Sequence, residues 1–182
     1  MANNLIGIDL AVSSLTTHLL NKLPWLLDAY PIAQRIKRKN LEGRDYYIHA
    51  VKMGGGEYLS MSPSVEGFNY SYCLLNDPQK IHPENGRLSG ALSVIFYVDL
   101  RNLGYDDNTS TSHLQAVIFE ALRTVQFNSG SLRVVECVQE FTNVFKGVSL
   151  NETDDQLLMY PFKAFRFECE YRNIQITAPC QQ

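Results

Sequence analysis

A chain of 182 residues, 45% hydrophobic and 19% charged, has ordinary globular composition and the length of one domain, which excludes wholesale disorder and fibrous repeats. Its formal net charge is −3, with a pI near 5.8, so it lacks the basic surplus of a protein that wraps nucleic acid. Ten Tyr and nine Phe against a single Trp suit sheet surfaces more than helical bundles.

The opening segment, "MANNLIGIDLAVSSLTTHLLNKL", has no basic n-region and is interrupted by polar residues, so neither a signal peptide nor a membrane span is expected. Within it Ile8, Val12, Leu15, Leu19 and Leu23 recur at helical spacing while Ser13, Ser14, Thr17 and Asn21 stay polar. That pattern predicts an amphipathic helix over residues 4–23, stopped by Pro24. After "WLLDAYP" comes the strongly basic run "QRIKRKNLEGR", carrying Arg35, Lys37, Arg38, Lys39 and Arg44. Its bland reading is a solvated loop rim; its functional reading is an electrostatic contact with DNA or an acidic neighbour.

"DYYIHAVKM" and "EYLSM", joined by Gly54, Gly55 and Gly56, predict a β-hairpin over residues 45–61. "FNYSYCLL" alternates as a strand, with Phe68, Tyr70, Tyr72 and Leu74 on one face. "NDPQKIHPENGR" has the composition of a loop. "LSVIFYVDL" is apolar on both faces through its middle, as a central strand is. A second helix is expected over 111–126, with Ser112 and Gln115 spaced as a capping box and Leu114, Val117, Ile118, Ala121, Leu122 and Val125 on one face.

"LRVVECVQEF" reads as a further strand, and "SLNETDDQLL" as a polar excursion with at most one helical turn. The last strand contains "FRFECEYR". Phe165, Phe167, Cys169 and Tyr171 face one way, and Arg166, Glu168, Glu170 and Arg172 the other. Residues 174–182 are left as a C-terminal arm. The order predicts a single α+β domain over 1–182: a mostly antiparallel sheet, two main helices on one face, and a hairpin. The apolar face of the last strand should then pack beneath the helices.

Catalytic chemistry finds little support. His82-Pro83-Glu84 has the spacing of a zinc-deaminase H-x-E, and Pro179-Cys180 starts a P-C-x-x-C, but the chain ends at Gln182 before the second cysteine. His18, His49 and His113 have no metal-ligand spacing among themselves. The triple glycine lacks the Lys-Ser/Thr of a phosphate loop. Asp106-Asp107 and Asp154-Asp155 lie in polar loops, without the apolar pocket that acid–base tuning needs, and no nucleophile motif is present. No catalytic residue, metal or cofactor is expected, and the protein is not expected to be an enzyme. Cys73, Cys137, Cys169 and Cys180 show no CxxC, which fits a reducing site of synthesis.

The sequence of a helix, a hairpin, a strong strand ending near "DLRNLGYDDN", the helix "HLQAVIFEALRTV" and the closing segment "DDQLLMYPFKAFRFECEYR" resembles the tail terminator and tail-completion proteins of tailed bacteriophages. Neck ring proteins between portal and tail are related. The resemblance covers roughly residues 4–173 and rests on order and pattern. It implies a homo-oligomeric ring, six- or twelve-fold, at the head–tail junction of the virion, made in the host bacterial cytoplasm. Its partners would be other neck, portal or tail proteins, with only passive contact with the DNA in the channel and no membrane.

The resemblance also implies that Arg166, Glu168, Glu170 and Arg172 face neighbouring subunits or the lumen. Gly54, Gly55, Gly56, Asp106 and Asp107 become inter-ring contacts. A ring through which DNA slides should not grip phosphates, and the net acidity agrees with that. Rival readings are another phage tail or baseplate component, a small ligand-binding or enzymatic domain with "FNYSY" lining a pocket, and an adaptor that contacts DNA through Arg35, Lys37, Arg38 and Lys39.

Overall fold

The computed structural model describes residues 6–64, 69–103, 110–127 and 130–176. The fold is α+β. Seven strands form one sheet: β1 (Asp28–Lys39), β2 (Asp45–Lys52), β3 (Tyr58–Ser60), β4 (Tyr70–His82), β5 (Arg87–Asp99), β6 (Ser131–Val138) and β7 (Phe162–Gln175). Their spatial order is β3-β2-β1-β4-β5-β7-β6. Every neighbouring pair is antiparallel except β1 with β4.

Two helices, α1 (Gly7–Lys22) and α2 (Ser110–Arg123), cover one face. Val12, Leu15, Leu19 and Leu23 are buried from the first helix and its end, and Leu114, Ile118, Ala121 and Leu122 from the second. They share a cluster with Val94, Phe96 and Val98 of β5 and Phe165, Phe167, Cys169 and Tyr171 of β7. The apolar side of "FRFECEYR" therefore lies under the helices, as its alternation predicts. Each such aromatic contributes on the order of 1.5–3 kcal/mol by leaving water.

The opposite face has its own cover. A one-turn helix, α3 (Phe141–Val144), and 3₁₀ turns at Leu150–Glu152 and Asp155–Leu158 bring Val144, Phe145 and Leu157 onto Tyr70, Tyr72, Ile95, Tyr97 and Phe162. Tyr97 stacks on Phe162 with ring centroids 5.5 Å apart, and its hydroxyl donates to the Leu157 carbonyl at 3.0 Å. The sheet is thus the middle of three layers, and Tyr70 and Tyr72 belong to a filled core.

Three expectations change. The basic run is a strand up to Lys39, with Arg44 in the turn that follows: β1 pairs with β2 from Ala33 opposite Val51 to Lys39 opposite Asp45. The stretch expected as a loop, "NDPQKIHPENGR", carries β4 on to His82 and opens β5 at Arg87, with Pro78 inside an irregularity between Asn76 and Lys80. Proline is tolerated there because the ladder is already interrupted. Ser112 lies inside α2, which begins at Ser110, so it is no N-cap. The triple-glycine hairpin is present between β2 and β3, and Gly55 and Gly56 take φ of 83° and 88°, where a side chain would be strained.

Candidate functional site

The ionic side of β7 is mostly an internal network. Arg166, only 8% exposed, donates from Nε to Glu168 Oε1 at 2.6 Å and from Nη2 to Ser93 Oγ at 2.9 Å. Ser93 Oγ donates to Glu168 Oε2 at 2.6 Å. Asn76 Nδ2 donates to both, at 2.9 Å to Ser93 Oγ and 3.2 Å to Glu168 Oε2. Sheet register explains the meeting: Ser93 stands opposite both Leu74 and Glu168, and Ile95 opposite Arg166. Paired and hydrogen-bonded, the guanidinium meets the condition for a charge to stay buried.

Beside it, His49 and Tyr72 are both buried and hydrogen-bonded, with His49 Nδ1 2.9 Å from the Tyr72 hydroxyl. Burial, then the charges of Arg166 and Arg35, pull the His49 pKa down to about 4; a hydrogen bond with the Lys146 backbone opposes them. Burial pushes the Tyr72 hydroxyl far up. Both groups are neutral near pH 7. Arg172 and Glu170, at the far end of the same face, pair at 2.9 Å in the open.

The basic patch is the outer half of the β1–β2 hairpin. β1 pairs with β4 only from Asp28 to Ile32, so residues 33–52 form an arm standing beyond that pairing. Lys37 binds Asp45 at 2.6 Å, Arg44 binds Glu42 at 3.2 Å, and Arg35 lies over the Tyr47 ring at 4.0 Å. Arg38 and Lys39 have no ion-pair partner among the described residues. Asn40 holds the tip: its Oδ1 accepts from the backbone N–H of Glu42 at 3.1 Å and of Arg44 at 2.9 Å. Leu41 at the tip is 108% exposed.

β4 runs parallel to β1, so the β4–β5 turn at 83–86 projects from the same end of the sheet, with Ile81 exposed on its stem. The two edges of the sheet differ. On one side β3 is three residues long, and Ser149 occupies the rest of the β2 edge, accepting from Tyr47 N at 3.0 Å and donating to Tyr47 O at 2.9 Å. On the other side β6 ends the sheet, interrupted by a bulge between Val134 and Glu136. A groove of about 330 Å³ runs between that edge and α2.

Gly54, Gly55 and Gly56 are exposed at the β2–β3 turn, while Asp106 and Asp107 lie outside the described residues. His82 pairs loosely with Glu84 at 3.7 Å. Among the described residues no group of three or more His, Cys, Asp or Glu is placed to hold a metal, and no helix is long and apolar enough to cross a membrane. Cys73 and Cys169 are buried free thiols, and burial raises Cys73 to about 12. The arm tip and the α2–β6 groove escaped the sequence reading. The one available signal for the tip was Asn40 with Gly43, a turn pair hidden among charges.

Comparison with known proteins returns nothing: no family model, no curated protein and no solved structure matches the chain.

Proposed function

We propose that the chain is a structural subunit of a tailed-phage virion, a tail terminator, tail-completion or neck ring protein that joins portal-side and tail-side components around a DNA channel. The observation that carries this reading is the pair of β-hairpins projecting from one end of a three-layer body, each bearing an exposed apolar residue, Leu41 or Ile81. The base of the arm packs into the second core through Ala33 and Val51, while the exposed apolar side chains at the two ends suit contact between molecules. Three of the five basic side chains are engaged within the arm, which favours protein contact over phosphate binding. The rival pocket under "FNYSY" loses its support, because Tyr70 and Tyr72 are packed in the core.

This reading alters one expectation. Arg166 and Glu168 satisfy each other inside the subunit, so only Glu170 and Arg172 remain of that stripe as surface candidates. The test is electron cryomicroscopy of the particle containing this chain. A closed ring whose pore admits duplex DNA is expected; a protein that stays monomeric beside its genomic neighbours would overturn the proposal.

A further inference from the structure

We propose a binding groove for a neutral saccharide where the outer strands β1, β2 and β3 meet residues 149–157. The cavity holds about 490 Å³, inside the range of small-molecule sites, about 300–1,000 Å³. It belongs to the single chain and does not depend on closure into a ring. Register assembles one wall. Arg38 stands opposite Tyr46, Ser60 opposite Ala50 and Tyr58 opposite Lys52. Opposite residues of a pair, and alternate residues of a strand, share a face. Arg38, Tyr46, Ile48, Tyr58 and Ser60 therefore all lie on the same side of these strands.

Residues 149–157 supply the facing wall. Ser149 sits at the edge of β2, its Oγ accepting from the Tyr47 N–H at 3.0 Å. Asn40 Nδ2 donates to Glu152 Oε1 at 3.2 Å, which ties this segment to the arm tip. Asp154 caps the second 3₁₀ turn, its Oδ1 accepting from the Gln156 N–H at 3.0 Å. These bonds fix the wall without exhausting it. Each carboxylate keeps further lone pairs, and a serine hydroxyl that accepts one bond can still donate one.

The lining is rich in hydroxyls: Tyr46, Tyr58, Ser60, Ser62, Ser149 and Thr153 each carry one. A hydroxyl both donates and accepts, which matches the hydroxyls of a sugar. The Tyr46 and Tyr58 rings are partly exposed, and their electron-rich faces attract the C–H side of a pyranose ring. Ser62 Oγ is buried and has no hydrogen-bond partner among the described residues. A buried hydroxyl left unpaired costs free energy, and a turn about its Cα–Cβ bond would offer it to a guest.

The charges decide against other ligands. Arg38, without an ion-pair partner among the described residues, lines a groove that also carries Glu152 and Asp154. A phosphate or carboxylate would meet two like charges, and a cation would meet Arg38. A neutral molecule dense in hydroxyls uses all of them: the carboxylates accept from its O–H groups, and the guanidinium donates to its oxygens. An added peptide strand finds a poor ladder, because β3 offers only three residues.

The experiment titrates the full chain, labelled with nitrogen-15, with glucose, galactose, N-acetylglucosamine, maltose and chitobiose. Dextran, galactan and chitin oligomers serve as polymers, and inorganic phosphate as the anion. Amide shifts and saturation transfer report binding. At least one sugar should bind with a Kd on the order of 1 mM or below, with shifts centred on Tyr46, Tyr58 and Thr153. Tyr58→Ala, at an exposed position, should weaken that binding roughly tenfold. Glu152→Gln should weaken it too, while Arg172→Ala, on the distant β7, should leave it unchanged. Circular dichroism checks that each variant folds. Equal affinity for a sugar and its polymer assigns the site to free sugars, and a large gain for the polymer assigns it to a glycan chain. No binding across the panel, larger shifts with phosphate than with any sugar, or affinity that survives both Tyr58→Ala and Glu152→Gln would overturn the site. Each of those results leaves the ring reading standing, since imaging of the particle tests it separately.

Discussion

Arg166 and Arg172 stand on the same face of β7 and meet opposite surroundings. Arg166 sits 8% exposed beneath the layer formed by residues 141–158, held by Glu168 and Ser93. Arg172 pairs with Glu170 in solvent, its side chain 61% exposed. Alternation along a strand fixes which face a side chain takes. It says nothing about what lies over that face. Here the covering layer reaches Val138 and Phe162 and stops before the Arg172 end, so one charged stripe becomes a core network at one end and an ordinary surface at the other.

The largest effect is expected on the residue next to Arg166 in sequence. Phe167 is fully buried against the helices and meets Phe96 edge-on with centroids 6.0 Å apart. Replacing it with Ala should cost about 3–5 kcal/mol, from lost transfer energy and the cavity left behind. Urea unfolding measures this directly. A loss below that of the ionic substitutions would mean that β7 is held chiefly by its charged side, reversing the comparison.

Next in size is the pH response of the buried network. His49 has a pKa near 4 in the folded chain against about 6.5 when unfolded. Between these values the unfolded chain takes up a proton that the folded one refuses. Stability is therefore undiminished by this group above about pH 6.5. It falls as the pH drops towards 4, by on the order of 3 kcal/mol. Protonated carboxylates add their own losses at the acid end, so the diagnostic is the difference between the native chain and His49→Gln. The native chain should lose more stability over this window; parallel curves would mean that His49 is not held neutral beside Arg166 and Arg35.

Much of this architecture was legible from residues alone, because burial on one face leaves a period. The spacing of Val12, Leu15 and Leu19, of Leu114, Ile118 and Leu122, and of Phe165, Phe167 and Cys169 put each set on its buried side. β1 left no such trace. Its outer half carries Arg35, Lys37, Arg38 and Lys39, which are exposed themselves although β2 beside them is partly buried, and its pairing with β2 is written in backbone hydrogen bonds that any residue supplies. β4 was cut short for the opposite reason: Asn76, Asp77 and Pro78 are turn residues, used here where the ladder breaks and resumes. The depth of Arg166 depends on α3 and two 3₁₀ turns, each too short to show a helical period. The groove needs α2 and β6 brought together in space, which no local pattern encodes.

The finest test of the comparison sets the two ion pairs of the stripe side by side. Glu168→Gln keeps the shape of the side chain but leaves the Arg166 cation without its counter-charge. Breaking a fully buried pair costs about 3–5 kcal/mol; since Glu168 is itself 30% exposed, water can screen part of the loss, and about 2 kcal/mol is expected. Arg172→Ala removes a pair of the same chemistry from the surface and should cost less than about 1 kcal/mol, within the range of exposed salt bridges. Raising the salt concentration should erase the Arg172 effect and leave most of the Glu168 effect, because ions screen exposed charges far better than buried ones. Equal losses at the two positions, or equal sensitivity to salt, would show that residues 141–158 do not shield the Arg166 end, and the distinction between core network and open surface would fall.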